Sequence, residues 1–193
     1  MRWKRTKAFI IDFIILFIVF NILNLVIPKD YNIKDLEARQ NELIEKYTNH
    51  EILFEEYYKE YSITYYELMD KQKILNISYL LFILIYFILL PFLWKGRTFG
   101  CFLNNIQVER FDKGKLMIHQ LLIRNIFVIG LLYLIVLNIG IVCIPSTHYF
   151  LIVSIVGILQ MVLAIFCFNM VFFTKAKRGL QDILSNTEMV KII

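Results

Sequence analysis

The sequence predicts an all-α integral membrane protein with four transmembrane helices and a long extracellular amphipathic helical insertion. First, hydrophobic residues make up 59% of the 193-residue chain and its mean hydropathy is +0.62, which is too apolar for an ordinary soluble domain. Second, the apolar residues form blocks long enough to cross a hydrocarbon core of ~30 Å. Third, the basic residues lie beside those blocks, an arrangement typical of membrane orientation and not of nucleic-acid binding.

The first transmembrane helix is predicted within residues 1–28. Its hydrophobic run extends from Ala8 to Ile27, which is about 20 residues and therefore ~30 Å of helix. No small-residue cleavage motif follows, so we expect a retained helix and not a signal peptide. Pro28 ends the helix.

Asp12 is an acid inside that run, and Arg5 lies seven positions before it. Because seven residues are close to two helical turns, both side chains lie on one face. An ionised carboxylate facing lipid would cost a few kcal/mol, so we expect Asp12 to face protein, water or a partner charge. Two interpretations follow: Asp12 is a proton or cation site, or it is a structural partner of Arg5 that fixes the first helix.

Residues 29–73 differ completely in composition from the apolar first span. They contain eleven acidic and seven basic residues and no glycine or proline. Their apolar side chains recur with alternating 3-4 spacing, which predicts an amphipathic helical arm with a heptad-like seam. The seam comprises Ile33, Leu36, Leu43, Tyr47, Phe54, Tyr57 and Tyr61, and the polar residues Gln40 and His50 complete the spacing along the same face. One long helix or a hairpin broken near Thr48 would satisfy the pattern. The arm either self-associates or docks a partner outside the membrane, or it packs on its own membrane domain or lies at the lipid surface.

Residues 74–193 are predicted to hold the remaining three transmembrane helices and a cytoplasmic tail. The hydrophobic blocks are residues 74–93, 125–144 and 149–173. Between the first two blocks, residues 106–111 alternate like a short strand and lead into a turn at 112–114. The tail from Gly179 onward is short and mixed.

Basic residues beside the spans predict the orientation. The amino terminus has four, the 95–124 loop has six, and the tail has four, namely Lys175, Lys177, Arg178 and Lys191. Four spans place all three basic segments on one side, so both termini are predicted to be cytoplasmic and the acidic arm extracellular. We expect a multi-pass protein of a bacterial plasma membrane, with the lipid bilayer as its first partner.

Motifs for catalysis are missing from the sequence. It has no P-loop, HExxH, CxxC or Ser-His-Asp order, and its three histidines are far apart, so we expect no enzyme, cofactor or metal site. Five amide side chains lie within or near the spans: Asn21, Asn24, Asn138, Gln160 and Asn169. Hydrogen bonds between helices would explain them, and a cation path lined by the amides is the alternative.

Three motifs together resemble the RDD family of small multi-pass membrane proteins, named for one arginine and two aspartates. The first is Arg5-x-x-Ala8-x-x-x-Asp12 in the first span. The second is the glycine-threonine-glycine segment 96–100, followed by Ile106-Gln-Val, Gly114 and Leu121-x-x-Arg124-Asn125. The third is Gly179-Leu-Gln-Asp182 continuing to Thr187-x-x-Val190, with Asp182 as the second aspartate.

The resemblance implies a four-helix membrane domain over residues 5–27 and 74–190. Some family members are linked to sodium/proton exchange, and others are domains of larger proteins. The sequence departs from the family pattern at Cys101, Gln181 and Asn186, where lysine, histidine and glycine are usual. The arm is also longer than the usual family connection.

The four charged residues Arg5, Asp12, Arg124 and Asp182 are therefore the candidate ion or proton site. Their charges suggest that Asp182 pairs with Arg124 or Arg5 at the membrane face, or that it caps a helix. The favoured function is exchange of a monovalent cation and a proton, with Asp12 as the exchangeable carboxylate and a homo-oligomer expected, since four spans make a thin wall. The alternative is a non-transporting scaffold that binds an envelope partner through residues 29–73.

Overall fold

The computed structural model describes residues 1–28, 32–173 and 178–192. The helices are α1 (Arg2–Val26), α2 (Ile33–Thr48), α3 (Phe54–Lys71), α4 (Lys73–Leu93), α5 (Phe99–Leu103), α6 (Ile118–Ile126), α7 (Leu131–Cys143), α8 (Ser146–Phe173) and α9 (Leu180–Leu184). Helix α4 consists of Lys73–Leu84, a π-helical segment at Ile85–Leu89, and Leu90–Leu93. The strands are β1 (Ile106–Arg110) and β2 (Thr187–Lys191). The bases Lys175 and Lys177, counted for the orientation, lie outside the described residues.

Three helices of the described chain are long and apolar enough to cross a membrane: α1, α4 and α8. The third predicted block is different, because α6 and α7 are bent by 89° at a break that contains Gly130 with a φ of +76°. Helix α7 has 13 residues, so it measures ~20 Å, less than a hydrocarbon core of ~30 Å. The described residues therefore contain three candidate spans, or four if the bent pair is one span.

Helix α1 presents one narrow face to the rest of the protein. Its buried residues are Ala8, Asp12 and Leu16, which recur at the four-residue spacing of one helix face. Leu16 joins the main core cluster with residues of α4, α6 and α7, such as Ile83 and Leu121. Most other side chains of α1 are exposed, as expected for a helix surrounded by lipid.

The predicted arm forms a helical hairpin. Helices α2 and α3 are separated by a turn in which His50 has a φ of +60°, a conformation that ends a right-handed helix. The rings of Tyr47 and Tyr57, both in the predicted seam, stack with centroids 4.7 Å apart across the hairpin. The single-helix alternative is therefore wrong.

The hairpin packs on its own membrane domain through α3. The hydroxyl of Ser62 donates to the Ser146 carbonyl at 2.6 Å, and the hydroxyl of Tyr66 donates to the Ile141 carbonyl at 2.9 Å. The ring of Tyr65 lies edge-on to Phe150. These contacts join α3 to the end of α7 and the start of α8.

The fold is not purely helical, because the tail returns to pair with the 95–124 loop. Strands β1 and β2 are antiparallel, with Ile106 opposite Lys191 and Arg110 opposite Thr187. The prediction included β1 but left the tail without structure. Pairing with β1 supplies the backbone partners that the isolated tail lacks, and it positions the short helix α9 beside α6.

Candidate functional site

Asp12 lies in a buried cluster of hydrogen-bond donors. Its carboxylate accepts from the hydroxyl of Tyr86 at 2.6 Å, the hydroxyl of Thr98 at 2.7 Å and the amide of Gly100 at 2.8 Å. The residue is 5% exposed. The predicted pairing of Asp12 with Arg5 is wrong. The two residues share a face, but seven residues separate them by ~10 Å along the helix axis.

The donors come from a turn that is shaped to touch α1. Thr98 is the N-cap of α5, where its hydroxyl accepts from the amide of Cys101 at 3.2 Å, as N-cap side chains do. A Cβ atom at Gly100 would lie 2.2 Å from the carbonyl oxygen of Ala8. Only glycine allows this approach, which brings the Gly100 amide to the carboxylate.

Tyr86 reaches Asp12 from the π-helical segment of α4. The extra residue per turn in a π-bulge rotates the following side chains, and such bulges are frequent at functional sites. The ring of Tyr86 packs edge-on against Phe87 with centroids 4.9 Å apart. Both residues are buried, so the phenol is held rigidly against α1.

Asp182 forms a second buried cluster, which we call the arginine clamp: Arg5, Arg124 and Asp182. Arg5 donates to one carboxylate oxygen of Asp182 at 2.9 Å, and Arg124 donates to the other. Asp182 is 0% exposed. The amide of Gly179 donates to the same carboxylate at 3.0 Å, so Asp182 also caps α9.

The electrostatics of the clamp keep Asp182 ionised. Burial acts to raise the pKa of Asp182, but the positive charges of Arg124 and Arg5 and the Gly179 amide act in the opposite direction and outweigh it. The pKa therefore lies below its ordinary value of 3.8. At neutral pH the clamp contains one negative and two positive charges.

Polar neighbours hold Arg124 in place. Its guanidinium also donates to the hydroxyl of Thr187 at 3.1 Å, and that hydroxyl lies 2.7 Å from the hydroxyl of Ser185. The side-chain amide of Gln120 donates to the Ser185 carbonyl at 3.1 Å. These contacts join α6 to the start of β2, so the sheet supports the clamp.

Sequence reasoning missed several of these residues. Thr98, Gly100 and Thr187 stood in the quoted motifs, and that position was the signal that could have marked them as functional. Tyr86 and Gln120 had no such signal. Among the described residues, no hydrogen bond or ion pair joins the Asp12 cluster to the clamp, so the four predicted site residues form two separate groups.

A cavity of about 350 Å³ connects the two groups. Arg5, Asp12 and Arg124 line it, together with apolar side chains of α1, α4, α6 and α8. Its walls include Phe9 of α1 and Phe168 of α8. The cavity therefore has both charged groups on its surface and an otherwise mainly apolar lining.

The amide side chains do not converge on one path. Asn21, Asn138 and Asn169 each donate to the backbone carbonyl four residues earlier. Asn24 donates to the Tyr79 hydroxyl and Gln160 to the Phe127 carbonyl. In the part of the chain that the structure describes, no group of three His, Cys, Asp or Glu side chains is placed to hold a metal ion.

Apolar helices of spanning length around two buried charged groups define a helical multi-pass membrane protein. The arginine of the first span, its aspartate and the aspartate of the tail all lie in those groups. The chain belongs to the RDD family, whose family model matches residues 1–186. Thr187 and Val190 of the third motif lie beyond the matched range. Comparison with curated proteins and with solved structures found no match.

Proposed function

We propose that this protein exchanges a proton for a monovalent cation and that Asp12 carries the proton. The observation that supports this function is the composition of the Asp12 cluster. Two of its three donors are hydroxyl groups, from Tyr86 and Thr98, and a hydroxyl can accept as well as donate. A protonated Asp12 can donate to the hydroxyl oxygen of Tyr86 or of Thr98 once that hydroxyl group has rotated. Both protonation states of Asp12 therefore find hydrogen-bond partners without movement of the backbone.

The position of Asp12 beside the cavity gives the proton a route. Asp12 lines the cavity on α1 while its carboxylate faces Tyr86 and Thr98. The two arginines of the clamp line the same space, and their charge opposes a cation there. A cation therefore enters near Asp12 only when that carboxylate is ionised, which is the competition that exchange requires.

The test is cation-driven proton movement in sealed liposomes. Wild-type protein is compared with Asp12→Asn, which can fold because its amide oxygen accepts from Gly100 and Tyr86 while its nitrogen donates to the Thr98 hydroxyl. Asp70→Asn is the matched control, since Asp70 is exposed on α3. A sodium or potassium gradient should drive a pH change in wild type and control but not in Asp12→Asn.

Two results contradict the exchange function. One is equal flux from wild type and folded Asp12→Asn. The other is no flux from folded wild type with several cations and both gradient directions. Reconstitution at several protein-to-lipid ratios also tests the predicted homo-oligomer, because the flux per chain of an obligate oligomer falls on dilution.

The orientation is proposed on the distribution of charge. Both termini are cytoplasmic in this arrangement, and the hairpin of α2 and α3 is extracellular, in the plasma membrane. The four bases of residues 1–7 and the six of residues 95–124 support it. Cysteines introduced at exposed Glu55 and at exposed Lys115 are compared in a Cys143→Ser background, because native Cys143 is exposed. A membrane-impermeant reagent applied to intact cells should modify Glu55→Cys only.

A scaffold function is the second candidate, and the tip of the hairpin favours it. Leu53 is 78% exposed and Phe54 is 62% exposed at the turn between α2 and α3. Two adjacent apolar side chains at a projecting turn suit an envelope partner. If the protein is a scaffold, Phe54→Asp abolishes cross-linking of an envelope partner to the tip of the hairpin in cells, and Asp12→Asn leaves that cross-linking intact. If the protein is a transporter, Asp12→Asn abolishes proton flux in the liposome assay, and Phe54→Asp leaves the flux intact.

A further inference from the structure

The cavity opens on the side of the bundle that faces lipid. Phe9 of α1 is 41% exposed, and Ile165 and Phe168 of α8 are 54% and 46% exposed. All three line the cavity. Because these side chains are also on the outer surface of two candidate spans, the cavity is continuous with the region that acyl chains occupy.

The charged end of the cavity has an excess of positive charge. Arg5 and Arg124 both line it, and one carboxylate, that of Asp182, is paired with them. Asp12 lies ~10 Å along α1 from Arg5, and its carboxylate is bonded to three donors. The clamp therefore retains one uncompensated positive charge beside an apolar space.

Two buried polar atoms at this end have no hydrogen-bond partner among the described residues. They are Nε of Arg5 and Oε1 of Gln181, and both residues line the cavity. Buried polar atoms are normally hydrogen-bonded. One is a donor that suits a phosphate oxygen and the other is an acceptor that suits a hydroxyl group.

We infer that this cavity binds an anionic glycerophospholipid, with the phosphate at Arg5 and Arg124 and an acyl chain between Phe9 and Phe168. The charge excess selects an anion, and the apolar walls select an amphiphile over a free ion. The free acceptor of Gln181 suits a headgroup that carries hydroxyl groups, such as phosphatidylglycerol. This binding goes beyond the proposed exchange function and does not depend on it.

The test is native mass spectrometry of the full chain from mixed micelles. The detergent contains equal amounts of phosphatidylglycerol and phosphatidylcholine with identical acyl chains. Wild-type protein should retain the anionic lipid with a preference on the order of tenfold, which corresponds to about one charge-assisted hydrogen bond. Inorganic phosphate at millimolar concentration should not displace it.

Two pairs of variants locate the lipid in the cavity. Arg5→Gln removes a charge from the clamp while Asp182 stays paired with Arg124. The preference for phosphatidylglycerol over phosphatidylcholine should then fall to about twofold. Lys115→Gln removes an equal charge from an exposed position and should leave the preference unchanged. Ala164→Phe fills the cavity without a change of charge and should abolish selective retention, whereas Ile155→Phe on the exposed surface of α8 should not.

Three outcomes overturn the inference. Equal retention of the two lipids shows that the excess charge selects nothing. A preference that survives both Arg5→Gln and Ala164→Phe places the lipid elsewhere on the surface. Full displacement by inorganic phosphate shows that the site takes a free anion. If Arg5→Gln does not fold, Ala164→Phe against Ile155→Phe decides the result. The measurement needs no ion gradient, so it succeeds or fails separately from proton exchange.

Discussion

Removal of Asp182 should destabilise the protein more than removal of either arginine. Asp182→Ala leaves two buried guanidinium groups beside each other without their shared carboxylate. At an effective dielectric constant of ~20, two like charges ~5 Å apart repel by ~3 kcal/mol. The loss of a partner from a buried ion pair costs ~3–5 kcal/mol, so we expect a decrease of that size in the free energy of unfolding.

Arg124→Ala should cost less, because Asp182 keeps Arg5 at 2.9 Å and the Gly179 amide at 3.0 Å. We expect ~1.5–3 kcal/mol, the range for one hydrogen bond to a charged group. In the double variant, the carboxylate and one arginine are both absent, and the repulsion disappears. The cost of the double variant should therefore be smaller than the sum of the single costs by ~1–3 kcal/mol.

The assay is reversible unfolding in mixed micelles, with all four proteins of the double-mutant cycle measured together. The ion pair of Lys113 and Glu188 is the matched control. Its atoms are 2.7 Å apart, but the lysine side chain is 63% exposed, and exposed pairs contribute only ~0–1 kcal/mol. Additive costs for Arg124→Ala and Asp182→Ala, within ~0.5 kcal/mol, would refute the coupling in the clamp.

Three further predictions follow from single contacts. The folded-state pKa of Asp182 is below 3.8, so the stability that its ionised carboxylate contributes to the fold is complete above that pH and is lost as the pH falls through the folded pKa. The Tm advantage of wild type over Asp182→Asn should therefore shrink below pH ~4. A difference in Tm that stays constant with pH would contradict this. Gly100→Ala places a Cβ 2.2 Å from the Ala8 carbonyl oxygen and should lower the free energy of unfolding by ~1–3 kcal/mol, whereas an unchanged value would mean that α1 shifts freely. Tyr66→Phe removes the bond to the Ile141 carbonyl and should cost ~1 kcal/mol in the same measurement without preventing flux; loss of flux from folded protein would instead tie the arm to transport.

Hydropathy alone predicted α1, α4 and α8, because a bilayer requires long apolar helices and little else. It could not predict the bend between α6 and α7. The block 125–144 is mostly apolar, but the positive φ of Gly130 interrupts the helix within it. A window average over composition does not detect one backbone conformation.

The partners of the charged residues were harder to predict, since they are distant in sequence. Spacing on one helix suggested Arg5 with Asp12, yet ~10 Å of helix separates them. The true partner of Arg5 comes from α9, 177 residues later. Charge and the quoted motifs suggested Asp182 as one candidate, and the pairing of β1 with β2 helps to hold the tail at that position.

The narrow buried face of α1 has a consequence for the order of assembly. This helix is synthesised before the groups that satisfy its two charged residues. Tyr86, Thr98 and Gly100 arrive for Asp12 only 74 to 88 residues later, and Asp182 arrives for Arg5 only 177 residues later. During translation α1 therefore carries an unmatched acid and an unmatched base, which favour water or the membrane interface over hydrocarbon. The packing of α1 is therefore completed only after the later segment around Asp182 docks on it.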